Sequence, residues 1–338
     1  MHIPNAVLDP KVAVATGVLG VAGLAYALQA VESRLGERTT VLMGTMAAFV
    51  FAAQMVNFPL GPLAVSGHLL GGVLAAVMLG PWAGAVVIAA VLIVQCLLFG
   101  DGGLTALGAN FVNMGLIGAV GGYAIYAPIR RAIGGRGGVL FGAMIAAWFS
   151  VLLAAGAFSV ELAVFGHRDA FVRVLSWMTL VHAGIGVGEA VITGLVLRFI
   201  LFTRPDLIYR AEKPSTTAPD GMIGWLQVAV AGLGVALAVA MFVAPLASEH
   251  PDGLEYVVGE KLGLMPGESP PTLPVPIPDY QFKVFGPNAL GTATAAAGVL
   301  GTGVVFTVAA LLAVAVGRVG GKATVVAAPP GGVSPNAA

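Results

Sequence analysis

Along this chain, apolar stretches of membrane-spanning length alternate with short polar connections. A helix needs about 20 apolar residues to cross the hydrocarbon of a bilayer. Stretches of that order lie near 11–31, 40–56, 83–99, 106–127, 138–158, 172–201, 222–247 and 288–316, with a shorter one at 69–82 that meets its successor at Gly80, Pro81 and Trp82. The pattern predicts an all-α, polytopic membrane helix bundle of seven spans followed by a two-span hairpin. Nine crossings put the two ends of the chain on opposite sides of the membrane. Residues 203–221, TRPDLIYRAEKPSTTAPDG, are polar and proline-bearing and read as a linker. They divide a block at 1–202 from the hairpin at 222–322, whose long loop covers 248–287. The tail 323–338 is expected to be disordered.

Composition agrees with the pattern. The chain is 58% hydrophobic and 9% charged, with a mean hydropathy of +0.95, where soluble domains carry roughly 25% charged residues. This is the make-up of a multi-pass protein of the cell (inner) membrane, with lipid as its surroundings. With 16 Lys and Arg against 16 Asp and Glu, no net charge recruits nucleic acid. The cations are unevenly placed. Arg34, Arg38, Arg130, Arg131, Arg136, Arg198, Arg204, Arg210, Lys213, Arg318 and Lys322 fall on one side, eleven of the sixteen. By the positive-inside rule that side is cytoplasmic, so the N-terminus is outside. The first lysine is Lys11, and Pro4 and Pro10 interrupt the approach to the first span. That is unlike a cationic leader, and the N-terminus is expected to be retained. The lone cysteine, Cys96, sits in an apolar run and reads as a core residue.

Polar groups at membrane depth are costly and usually functional. Gln54, Asn57, Ser66 and His68 lie between spans two and three. Gln95, Asp101, Thr105, Asn110 and Asn113 lie between spans four and five, on the same outer side as Met1 and His2. A free Met1-His2 terminus has its own ligand chemistry. The α-amine, the His2 amide nitrogen and the His2 imidazole form fused chelate rings, and planar nitrogen sites suit Ni(II) or Cu(II). His68, on the same side, is the natural fourth ligand. Zinc would favour a tetrahedron with thiolates or carboxylates. A plainer reading fits the same residues: an exposed His2, and a His68 that satisfies a loop carbonyl. His182 and Glu189, in LVHAGIGVGEA, read either as a pair supporting the ligands or as a structural hydrogen-bonded pair. His167 and His250 read as loop residues.

Other chemistry lacks its residues. GRVGGKA at 317–323 has neither the spacing nor the Ser/Thr of a phosphate-binding loop. No nucleophile, base and orienting acid line up, so an enzyme or assembly factor is the third-ranked reading. No acidic relay crosses the spans, which weakens a self-sufficient, proton-coupled metal carrier.

The segments MHIP, MVNFPLGPLAVSGHLLGG, GPWAG, LLFGDGGLTALGANFVNMG and HAGIGVGEAVITG resemble, in order, the substrate-binding component of energy-coupling-factor importers for nickel and cobalt. The resemblance covers about 1–201, and the hairpin with HPDGLEYV resembles the small accessory (PDGLE-type) subunit, here fused. It implies a transported Ni2+ or Co2+, held by the Met1 amine, the His2 amide and ring nitrogens and the His68 ring. Asn57, Ser66, Gln95, Asn110, Asn113 and His182 are candidates to stand behind these ligands. It also implies a separate transmembrane coupling subunit and ATPase subunits that supply the energy. The fusion leans toward nickel; a cobalt importer component serving cobalamin synthesis is the alternative. Where the family often has MHIPDG, this chain has Asn5 and Ala6. A chain ending near Arg210 keeps all four nitrogens and is expected still to bind metal.

Overall fold

The computed structural model describes residues 1–32, 37–61, 64–210, 221–266, 274–285 and 289–323. Each of the nine expected stretches contains a helix. They are α1 (Pro10–Glu32), α2 (Glu37–Gln54), α3 (Gly72–Leu79), α4 (Pro81–Val94, continued as a π-helix to Phe99), and α5 (Leu107–Asn110), which a π-helix joins to α6 (Gly122–Ile133). Then come α7 (Gly135–Phe165), α8 (Phe171–Thr203), α9 (Gly221–Ala238), the short α10 (Gly253–Glu255) and α11 (Leu290–Ala323). Among the described residues seven helices are long and apolar enough to cross a membrane. Two of the nine expected stretches are not among these seven. The two that fall short are α2, which carries Glu37, Arg38 and Gln54 at its ends, and α3.

α3 has only 8 residues, about 12 Å of helix against about 30 Å of hydrocarbon. The chain from Val65 to Gly71 enters the bundle without helix, and all of it is buried. Irregular backbone survives at such depth only when protein surrounds it. Gly71, at φ 76°, makes the bend into α3. Before it, Phe58–Pro59 and Ser66–Gly67 pair as a two-stranded antiparallel ribbon, β1 and β2.

Helices approach closely where glycine allows it, as lipid-embedded interfaces require. α1 passes α5 with Gly20 against Gly108, and α4 passes α3 with Gly84 against Ala76. The accessory helices α9 and α11 pack on α2, with Gly301 against Phe51. The first part of the expected linker folds back onto the bundle. The Tyr209 N–H donates to the Val77 carbonyl at 3.0 Å, and Arg130 donates to the carbonyls of Tyr209 and Arg210 at 3.1 and 2.9 Å. Linker residues 211–220 and tail residues 324–338 lie outside the described residues.

A Cβ at Gly84 would stand 2.8 Å from the Ala76 nitrogen and 2.9 Å from its Cα, both rigid backbone. Gly84→Ala is expected to force α3 and α4 apart and cost about 1–3 kcal/mol. A thermal melt in detergent checks this, with Gly156→Ala as the control, because a Cβ there meets nothing within 4 Å.

Candidate metal centre

The N-terminal nine residues return from α1 into one end of the bundle, where α5 holds them. Asn110 Oδ1 accepts from the Ile3 N–H at 2.8 Å, and Asn110 Nδ2 donates to the Ile3 carbonyl at 3.2 Å. The Gly103 N–H donates to the same carbonyl at 2.8 Å. Asn5 Oδ1 accepts from the Thr105 amide at 3.1 Å and from its hydroxyl at 3.0 Å. An amide oxygen thus anchors the turn as a carboxylate would. Met1 and His2 end up buried, 5% and 7% exposed.

The terminal amine meets two partners. It lies 2.5 Å from His68 Nε2 and 2.5 Å from Asp252 Oδ2. The turn carrying His68 is held from α8, whose buried Glu189 accepts from the Leu70 N–H at 2.5 Å and the Gly71 N–H at 2.9 Å. This carboxylate pins the backbone just before α3, whose N-cap, Gly71, offers no side-chain cap.

Neighbours constrain the protons of both rings. A carbonyl only accepts, so the Leu70 carbonyl takes the Gln54 amide at 2.9 Å, and Gln54 Oε1 takes the Gln95 amide at 2.9 Å. Asp101 Oδ1, 3.1 Å from His2 Nδ1, is an acceptor as well, so it competes with Gln95 Oε1 for the ring's proton. When a cation takes the Nδ1 lone pair, the proton stays on Nε2 and donates to Gln95 Oε1, 3.1 Å away. His68 Nδ1 likewise donates to the Leu69 carbonyl at 3.0 Å, leaving the lone pair on Nε2 beside the amine. Metal-bound histidines are set up in this way, one nitrogen donating to a fixed acceptor and the other free to ligate. The rings lie nearly parallel, with centroids 5.1 Å apart. Two adjacent ligands of a square plane with bonds of about 2.0 Å stand about 2.8 Å apart. The 2.5 Å between amine and His68 Nε2 is close to that spacing.

Burial pulls the His2 pKa from 6.5 down to about 4 against the attraction of Asp101, aided by the terminal ammonium and His68. The ring is neutral at physiological pH. Burial also opposes ionisation of Asp252, but the terminal ammonium and His68 outweigh it and hold that carboxyl well below the usual carboxylate range. Both residues, with His68, Asp101, Glu255 and Tyr280, line a cavity of about 430 Å³.

The remaining candidates separate. Asn57 lines the cavity, and its carbonyl accepts from the Ser248 N–H at 2.8 Å. The Ser66 hydroxyl donates to the His250 carbonyl at 2.8 Å, so it binds the long loop. Asn113 turns away and donates to Glu161 on α7 at 2.9 Å. His182 and Glu189 are not hydrogen-bonded to each other: His182 Nδ1 donates to the Met178 carbonyl at 2.8 Å, one turn back on α8. Asp252 had a sequence signal in PDGLE, since Asp and Glu three apart form a capping box; Asp252 caps α10 with Glu255 at N3. Gln54 and Glu189 were among the polar groups the sequence singled out, with other partners; Tyr280 had no such signal.

With this geometry in view, the chain can be set beside known proteins. Residues 2–207 match the family described as the cobalt uptake substrate-specific transmembrane region, CbiM. The chain belongs to the CbiM family. Residues 226–318 match the PDGLE domain, so this member carries the accessory domain in the same chain. A relative from Archaeoglobus fulgidus, named a fused nickel transport protein NikMN, is 36% identical over 90% of this chain and 96% of its own. The cobalt transport protein CbiM of Geobacter sulfurreducens is 27% identical over 80% of each chain. The crystal structure of a truncated transition metal transporter superposes with a TM-score of 0.54 at 31% identity, covering 60% of this chain and 99% of that one. The CbiM-family chain is thus a multi-pass membrane protein of metal uptake and not an enzyme.

A pH dependence follows from His2. Above its unfolded pKa of 6.5 the ring is neutral in both the folded and unfolded chain. As pH falls toward about 4, the unfolded chain takes up a proton that the docked ring refuses, so docking weakens across that window. Deuterium exchange at the Ile3 amide, corrected for the intrinsic rate, is expected to lose protection between these values. Constant protection would contradict the assignment.

Proposed function

We propose that this protein captures Ni2+, with Co2+ the alternative cargo, at the outer face of the membrane and delivers it for ATP-driven import. The ligands would be the Met1 amine, the His2 amide nitrogen, His2 Nδ1 and His68 Nε2. The observation that carries this reading is the buried terminal amine 2.5 Å from a His68 nitrogen whose proton is committed elsewhere. An ion taking that amine as a ligand must take it from Asp252. The relatives' names support both metals; the fused arrangement, shared with the relative named for nickel, favours Ni2+.

The outward placement of the site rests on charge. α4 and its π extension run from Pro81 to Phe99. At the Pro81 end, Arg38 and Arg210 line one cavity with Tyr209, and at the other end Gln95 meets His2. Arginine-rich ends face the cytoplasm. With no phosphate-binding loop in the sequence, energy would come from a separate transmembrane coupling subunit and ATPase subunits. In that arrangement 1–202 is the metal-binding component and 222–322 the accessory domain.

The test is an added Gly-Ser before Met1, compared by calorimetry with a protein tagged at the C-terminus. The extension converts the amine to an amide and changes no side chain. Nickel affinity is expected to fall more than about 100-fold, beyond the usual cost of losing an outer partner, and His68→Ala should do the same. Equal affinity of the extended and control proteins would exclude the terminal amine as a ligand.

A further inference from the structure

The long loop of the accessory domain touches each of the segments that carry the proposed ligands. Its 250–252 backbone runs beside Ser66, two residues before His68: the Ser66 N–H donates to the Pro251 carbonyl at 2.8 Å, and Ser66 pairs with Asp252 in a parallel bridge. Asp252 Oδ2 takes the terminal amine at 2.5 Å. Farther along, the Tyr280 hydroxyl donates to Asp101 Oδ2 at 2.6 Å, and Asp101 Oδ1 faces His2. Gly253 lets the loop sit this low, because a Cβ there would stand 2.6 Å from Ile185 Cδ1 and 3.0 Å from the His182 ring.

Asp252 divides its two oxygens between two tasks. Oδ1 accepts from the N–H groups of Leu254 and Glu255 at 2.8 and 2.9 Å, which fixes the carboxylate at the start of α10. Oδ2 is thereby aimed at the amine. Asp252 is the carboxylate that meets the amine, and it supplies the anion that this buried cation needs.

We propose that Asp252 is a positioning residue, by which the fused accessory loop holds the chain's terminal amine against His68. Its use in metal loading rests on the reading given above; the holding itself does not. Asp252→Asn separates the two tasks, since asparagine caps a helix as well as aspartate does but carries no charge. Asp252→Ser, also a good cap, is a second neutral variant.

The experiment labels the full-length, metal-free protein in detergent with an amine-reactive acetylating ester and reads the N-terminal peptide by mass spectrometry. Alkylation of the buried Cys96 reports that the fold is intact. Labelling of the terminal amine in Asp252→Asn and Asp252→Ser is expected to rise roughly tenfold, the loss of one charge-assisted hydrogen bond. Glu260→Gln, which removes a carboxylate from the same loop at an exposed position, should leave the rate unchanged. Wild-type labelling rates in both Asp252 variants, with Cys96 still shielded, would overturn the proposal, and so would an equal rise in Glu260→Gln. Added NiCl2 separates the two readings. Nickel that shields the amine while the Asp252 variants expose nothing removes the clasp and leaves the metal site. Variants that expose an amine which nickel never shields, even in the wild type, remove the metal ligand and leave the clasp.

Discussion

The architecture of this end of the molecule depends on one buried charge, the terminal ammonium. Taking a cation out of water is expensive unless a partner comes with it. Here the partner is Asp252, 251 residues away in sequence and 2.5 Å away in space. Most of what surrounds the pair serves to bring it together. The N-terminal segment must fold back, so Asn110 and Gly103 grip the Ile3 backbone. The accessory loop must reach down, so Ser66 pairs with it and Gly253 lets it pass over α8.

The proposed ligands come from irregular backbone. Met1 and His2 precede α1, and His68 lies in the non-helical run that stands where a full span was expected. Helices lend these segments their geometry indirectly. Glu189 on α8 pins the turn after His68, while Gln95 at the end of α4 and Gln54 at the end of α2 relay a hydrogen-bond direction from the Leu70 carbonyl to the His2 ring. The site is therefore rigid where it needs orientation. An arriving cation would exchange the amine's contacts with Asp252 and His68 and the approach of His2 Nδ1 to Asp101.

Much of this was legible in the sequence, for physical reasons. The long helices show as apolar runs, and a Met-His terminus announces a chelate because its ligands are local to two residues. The convergence of His68 with that terminus could be inferred from topology, since both lie on one side. Only eight residues of the expected third span are helical, because a buried non-helical run is as apolar as a helix and the two look alike in sequence. Asn113 and His182 were grouped with the site by proximity in sequence, yet one turns to Glu161 and the other to its own helix. Glu189 was singled out but paired with His182, whereas it binds the Leu70 and Gly71 amides. Tyr280 could not be found: it acts through a long-range hydrogen bond, and nothing local distinguishes such a phenol from any other. Asp252 was partly visible, as the cap of a short helix, but its second oxygen's target was not.

The central claim is that the cargo ion is held in one plane by nitrogens of Met1, His2 and His68. X-ray absorption at the nickel edge of the loaded, full-length protein tests it most directly. The account predicts about four nitrogen scatterers near 1.9 Å, imidazole outer-shell scattering, and the sharp pre-edge feature of square-planar Ni(II). Six nitrogen and oxygen neighbours near 2.1 Å without that feature would contradict it.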